Sequence, residues 1–195
     1  LRIGAIRTVA ARDLEGVIAA LLADYGVELV EGTDYELRGA LASGRIACAL
    51  TLLREAEHGA VAYPLWEEPY RMHVATSHRL AGANCPVPPE DLASEIMIAR
   101  RSCEVLDDTS RFFTAMGVRP RFALRSEDDA RCMAMVAAGL GITTAPVSLG
   151  MAGTVPIEVS GYAFRRSVGL LCDPAFAEDL ARRGCPASIL GRIGR

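Results

Sequence analysis

An α/β fold of two units, the first interrupted by the second, is predicted by three observations. Apolar strands alternate with amphipathic helices from the N-terminus, glycines and prolines sit where one gives way to the other, and a strand–helix pair follows the second unit. The clearest change of element is Met133-Ala-Met-Val-Ala-Ala-Gly-Leu-Gly-Ile-Thr-Thr-Ala-Pro146. Gly139 suits the left-handed residue that closes a helix, Gly141 lets strand and helix pack closely, and Ile142 to Ala145 reads as a core strand that Pro146 stops.

After a first strand, Leu14, Val17, Ile18, Leu21, Leu22 and Tyr25 recur at helical spacing, which predicts an amphipathic helix over about 12–25. Thr33-Asp-Tyr-Glu36 has the capping-box pattern, so a second helix should start at Thr33 and end near Ser43 and Gly44. Such βα units imply a mostly parallel sheet with right-handed crossovers. A second unit begins around Glu68. Val105, Leu106, Thr109, Phe112, Phe113 and Met116 form one helix face closed by Gly117, Phe122 to Leu124 is a short strand, and Ser126-Glu-Asp-Asp129 is another capped helix start. Pro86, Pro88 and Pro89 mark a loop rather than a domain linker. Residues 162–172 read as a strand returning to the first unit, with a helix from about Pro174 to Arg183 behind it.

These segments resemble the effector-binding domain of LysR-type transcriptional regulators. The 133–146 run is similar to the family's last helix-to-strand turn. Leu1-Arg-Ile-Gly-Ala-Ile6 resembles its first strand, with Thr8 where a pocket hydroxyl commonly follows, and Val27-Glu-Leu-Val-Glu-Gly-Thr33 resembles the second strand with its Glu-Gly-Ser/Thr turn. Leu41-Ala-Ser-Gly-Arg-Ile-Ala-Cys-Ala-Leu50 is similar to the Leu-x-x-Gly-x-Leu-Asp-x-Ala-Ile segment, and Glu67-Glu-Pro-Tyr-Arg-Met-His-Val-Ala75 with Ser77-His-Arg-Leu-Ala81 to the crossing strand and its His-Pro-Leu-Ala signature. Glu90-Asp-Leu92 and Ala115-Met-Gly-Val-Arg-Pro120 complete the series. Glu15, Ala47 and Arg79 depart from the proline, aspartate and proline the family commonly has there. The resemblance implies two Rossmann-like αβ subdomains joined by two crossing strands, like type 2 periplasmic binding proteins, with 1–67 plus 162–195 as subdomain I and 68–161 as subdomain II.

Composition bounds the function. The chain has 195 residues, 51% of them apolar, which is ample for a buried core. A net charge of -3 with 21 basic residues gives no stripe to grip a DNA backbone. The chain starts at Leu1 without an initiator methionine or leader, and so reads as a fragment that was not secreted, which makes cytoplasm the expectation. The uncharged run 132–157 is broken by glycines and prolines and reads as buried core rather than a membrane span. Six cysteines show no Cys-x-x-Cys pair and no histidine at metal-ligand spacing, so neither a metal nor a cofactor is expected.

Strand ends and helix starts converge at the cleft of such a fold, where free N–H groups suit a small anion. The candidate ligand-binding residues are Ile6, Arg7, Thr8, Thr33, Arg100, Arg101, Ser102, Cys103, Ser126 and Glu127. Thr33 and Ser126 equally fit plain helix caps. Arg7, Arg100 and Arg101 are either solvated surface residues or clamps for an effector carboxylate, which makes an organic acid the expected ligand. The resemblance adds a redox alternative, because peroxide-sensing members carry a reactive cysteine near Cys103. A helix start with Arg100 and Arg101 would lower its pKa, although Phe112 and Phe113 occupy the region of the second cysteine.

No catalytic residues are expected. The sequence has no Walker loop, no Gly-x-Ser-x-Gly elbow and no His-Glu-x-x-His pair, and His58, His73 and His78 have no evident nucleophile partner. A solute-binding protein for transport shares the fold, but six cysteines without an evident pairing favour a reducing compartment. The resemblance further implies a homodimer through subdomain I, a higher oligomer in the full-length protein, and DNA contact only through an N-terminal winged helix-turn-helix absent from this chain.

Overall fold

A computed structural model describes residues 1–184, and the chain in it falls into two compact units, Leu1–Glu67 with the described residues from Arg166 onward, and Glu68–Arg165. Cys185 and the rest of 185–195 lie outside the described residues.

The first unit is a five-stranded sheet segment of order β2-β1-β3-β9-β4. β1 (Arg2–Ile6) is paired in parallel with both β2 (Glu28–Gly32) and β3 (Cys48–Leu52). β9 (Arg165–Cys172) runs antiparallel to β3, so the sheet is mixed rather than mostly parallel. Parallel neighbours need a crossover, usually a helix, and β9 arrives instead from the second unit, free of that constraint. Ile3, Leu21, Leu37, Leu50, Leu170 and Leu180 form the centre of one apolar core.

α1 spans Ala11–Leu21, shorter than the apolar spacing predicts. Leu22 is 54% exposed, and Tyr25, beyond the helix, packs edge-on to Phe176 and donates its hydroxyl to Asp179. Tyr25 thus keeps its apolar role through tertiary packing instead of helical register. α2 (Asp34–Ala42) starts as the capping box dictates. The Thr33 hydroxyl accepts the Glu36 N–H, and the Glu36 carboxylate accepts the Thr33 N–H at 2.8 Å. Thr33→Ala should therefore cost about 1 kcal/mol, read as a lower denaturation midpoint with an unchanged slope. α5 (Pro174–Arg182) has proline in its first turn and Asp173 as its cap.

β4 (Val61–Ala75) leaves the first unit and enters the second, where it pairs antiparallel with β7 (Thr143–Pro146) and β8 (Thr154–Ile157). β5 (Ile96–Arg100) and β6 (Arg121–Ser126) form a separate parallel pair. Successive residues of β5 face opposite ways. Met97 joins the core containing Tyr70, Met72 and Phe113, whereas Ile98 packs with Cys132 and Val136. Phe113 comes from α3 (Leu106–Ala115), and Cys132 and Val136 come from α4 (Asp129–Ala137). Tyr162 and Phe164 also pack with the second unit, where the Phe164 carbonyl accepts the Tyr70 N–H.

Gly117 and Gly139 have φ of +72° and +76° where α3 and α4 end, the conformation that favours glycine there. Gly141 serves a different contact from the one predicted. A Cβ on it would stand 2.8 Å from the Ile96 carbonyl oxygen, so it admits strand β5 rather than a helix. Ile142 makes a bridge to Met97, and the named strand begins one residue later. The uncharged run is not wholly interior either, since Leu140 and Met151 lie exposed. Among the described residues no helix is long and apolar enough to cross a membrane.

Candidate functional site

The end of β5 and the turn after it carry a buried ion pair of the second unit. Arg100, the last residue of β5, is only 1% exposed. Its Nε donates to Asp129 Oδ1 at 2.8 Å and its Nη2 to Oδ2 at 2.6 Å, a two-pronged ion pair, while Nη1 donates to the Thr144 carbonyl at 3.2 Å. Burial alone would lower the guanidinium pKa; the bonds and charge of Asp129 more than offset this, and it ends above its ordinary value. Asp129 opens α4, where the helix dipole also favours a carboxylate.

Ser102 donates to the same Asp129 at 2.7 Å, and Tyr70 donates to Glu104 at 2.9 Å, so both sides of Cys103 are pinned. Arg100 is thus a clamp, but on a carboxylate of the protein itself. The expectation for Cys103 is corrected: it precedes α3 and is buried, and burial pushes its thiol pKa up, with Arg100 and the Val105 backbone opposing only in part. Helix proximity loses here because desolvation penalises the thiolate more than the paired Arg100 stabilises it.

A cavity of about 590 Å³ lies against this turn within the second unit. Arg100, Arg101 and Cys103 line it, together with Met97, Thr109 and Phe113 on one side and Arg119, Phe122 and Arg125 on another. Thr109 and Tyr162 share a hydroxyl–hydroxyl bond of 2.7 Å, and the Thr143 hydroxyl donates to the Ile98 carbonyl.

The other candidates stand apart. Ser126 ends β6, and its hydroxyl accepts the Asp128 N–H; Asp128, not Ser126, caps α4 by accepting from Arg131 N–H. The predicted cap therefore moves two residues along, because an aspartate at that position reaches the first helical N–H groups. Glu127 is exposed beside it.

In the first unit Ile6 is buried, Arg7 is exposed and 3.8 Å from Glu36, and Thr33 caps α2. Thr8 is buried, and its hydroxyl and carbonyl both accept from Arg166, each at 3.1 Å. Arg166 escaped the sequence reading, although the strand alternation of Arg165 and Arg166 already requires one of them to face inward. Arg119, Arg125 and the Asp129 partner carried no local signal. Among the described residues no three His, Cys, Asp or Glu side chains are grouped to hold a metal.

Comparison with known proteins gives the family. The chain is 29% identical over 150 residues to the DNA-binding transcriptional dual regulator OxyR of Escherichia coli strain K12, a match covering 75% of this chain and 49% of that protein. The hydrogen peroxide-inducible genes activator of Escherichia coli O157:H7 matches to the same extent, so the chain spans about half the length of these relatives. Among solved structures, the C-terminal domain of a probable LysR family transcriptional regulator from Rhodococcus sp. RHA1 superimposes with a TM-score of 0.76 at 22% identity, covering 100% of this chain and 98% of that one. A reduced form of OxyR from N. meningitidis gives 0.73 at 22% identity, covering 98% and 94%. These likenesses carry the fold, two αβ subdomains of the periplasmic-binding-protein-like type. The model of the LysR substrate binding domain matches residues 1–183, and the chain belongs to that family.

Proposed function

We propose that this chain is the effector-sensing domain of a LysR-type transcriptional regulator acting in the cytoplasm, with its two compact units as the regulatory subdomains and the expected boundary at 161/162 moved to Arg165/Arg166. The observation that carries the reading is the cavity beside Arg100, Arg101 and Cys103, in a chain of this family. Its size falls in the range of about 300–1,000 Å³ typical of small-molecule sites. The effector is a small anionic metabolite such as an organic acid, and no reaction is catalysed. Arg101 replaces Arg100 as the proposed clamp, since Arg100 already holds Asp129. Ile6, Arg7, Thr8 and Thr33 are the first unit's proposed contributors, and Ser102, Ser126 and Glu127 those of the second beyond the cavity wall.

An effector acts only through its different affinity for two arrangements of the protein, and about 1–3 kcal/mol of coupling changes promoter occupancy several-fold. DNA contact belongs to a helix-turn-helix outside this sequence, in keeping with a matched relative named as DNA-binding and about twice as long. Pairing of two copies through subdomain I would cover Leu22, Leu29 and Val30, all exposed around α1 and β2. The five described cysteines are free thiols, which favours a reducing compartment over a transport protein outside the cell.

Thermal unfolding against panels of organic acids, amino acids and phosphorylated metabolites tests the reading. A ligand at 100 times its dissociation constant adds about 2.7 kcal/mol, a visible rise in melting temperature. The same ligand must alter DNA affinity in the longer protein; a ligand that raises stability and leaves DNA affinity untouched would defeat the sensor reading. A redox sensor is the second reading, favoured by Cys103 lining the cavity and by relatives named as activators of hydrogen peroxide-inducible genes. Its raised thiol pKa and Phe112 nine residues on weigh against it. Peroxide that shifts melting in the wild type but not in Cys103→Ser would reverse the order.

A further inference from the structure

We infer that the cavity of the second unit takes an amphipathic anion, a carboxylate or sulfonate carried on an aromatic or branched apolar body. This deepens the sensor reading and rests on it.

Among the described residues, five arginines of this unit are ion-paired and three line the cavity without an ion pair, while Arg121 and Arg165 belong to neither set. Arg71, Arg79, Arg111 and Arg131 each hold a carboxylate, Glu158, Glu95, Asp108 and Asp128 respectively, and Arg100 holds Asp129. Arg101, Arg119 and Arg125 all line the cavity, and among the described residues none of the three is ion-paired. Asp107 is the one carboxylate in the lining. A chain of net charge -3 thus sets three unpaired cations against one carboxylate around a single concavity. Guanidinium groups in such a place match a carboxylate or sulfonate through paired N–H donors.

The apolar part of the wall decides the rest of the ligand. Met97, Phe113 and Val118 present buried side chains to the cavity, whereas Phe122 is 42% exposed at its edge. The Arg125 guanidinium lies over the Phe122 ring, 4.1 Å from its centroid. That stack holds the ring in place and leaves the in-plane N–H groups of Arg125 available to an anion. A ligand with an apolar body would cover Phe122 and meet the floor, while its head group meets the arginines. A bare small anion would gain only the second contact and lose the hydrophobic contribution. A neutral apolar molecule would gain only the first.

The test is isothermal titration of the whole chain with 2-naphthoate, with 2-naphthalenemethanol and acetate as partial mimics. Saturable naphthoate binding is expected, with both mimics at least about tenfold weaker, the ratio that loss of one charge-assisted contact produces. Arg119→Gln with Arg125→Gln should weaken naphthoate by about tenfold or more and lower the melting temperature only slightly, through loss of the Arg125 stack on Phe122, because both side chains are exposed. Asp107→Asn should strengthen it. Equal affinity for the acid and the alcohol, an unaffected double variant, or no naphthoate binding would each overturn the assignment. The sensor reading fails separately. If a metabolite of another class stabilises the chain independently of Arg119 and Arg125 and changes DNA affinity in the longer protein, the ligand class falls and the sensor stands.

Discussion

Asp129→Ala is expected to destabilise the protein by about 3–5 kcal/mol, the usual result of removing one partner from a buried ion pair. Arg100 would keep its charge at 1% exposure with, among the described residues, only the Thr144 carbonyl left to accept from it, and Ser102 would lose its acceptor as well. The change also removes an acidic residue from the first turn of α4. A loss of that size is a large share of the about 5–15 kcal/mol that holds an ordinary domain together. Urea unfolding measures it. The control is Arg100→Met with Asp129→Leu in one chain, which should recover most of the loss, because the cost arises from a stranded charge rather than from a missing attraction. If Asp129→Ala unfolds within about 1 kcal/mol of the wild type, the pair does not pin the end of β5 in the way its geometry requires.

Acidification should produce the next largest effect, through His73. Its side chain is fully buried on β4 and its ring nitrogens have no hydrogen-bond partner among the described residues. Burial, seconded by the positive charge of Arg100, pushes its pKa from 6.5 down to about 4; Glu68 and the nearby backbone of Ala145 and Pro146 oppose this in part.

The folded state therefore keeps the ring neutral while the unfolded chain takes up a proton. Its contribution is fully present above pH 6.5 and is lost as the pH falls toward 4, about 3 kcal/mol in all. His73→Leu should remove that part of the pH dependence. The measurement is the denaturation midpoint of both proteins from pH 7 to pH 4, and parallel curves would show that His73 is not the group responsible. Comparing the two curves also separates His73 from the carboxylates, which titrate in both.

Arg100 and His73 mark where sequence reasoning stops. The sequence offered Arg100 to Cys103 as one group of candidate ligand residues, in which Arg100 and Arg101 looked alike. One is buried on Asp129, 29 residues away in sequence, and the other faces solvent at the cavity. His73 read as one residue of an alternating strand, and its neighbours are distant in sequence, among them Gly150, where an added Cβ would lie 3.4 Å from the ring. The cavity itself had no signature in the chain, because its cations come from 101, 119 and 125 and its floor from 97, 113 and 118.

The sequence by itself determined what is written within a few residues. The capping box at Thr33 and Glu36, the left-handed glycines at 117 and 139, the proline start of α5 and the alternation of strands with helices are short-range hydrogen-bond and steric effects, and each is realised where it was read. The order of weak motifs along the chain added the family. Only the tertiary structure decided that α1 ends at Leu21 and that β9 returns antiparallel. It alone paired Arg100 with Asp129, Arg166 with Thr8 and Thr109 with Tyr162. Desolvation and ion pairing depend on what surrounds a group in space, and those neighbours lie between 29 and 158 positions away along the chain.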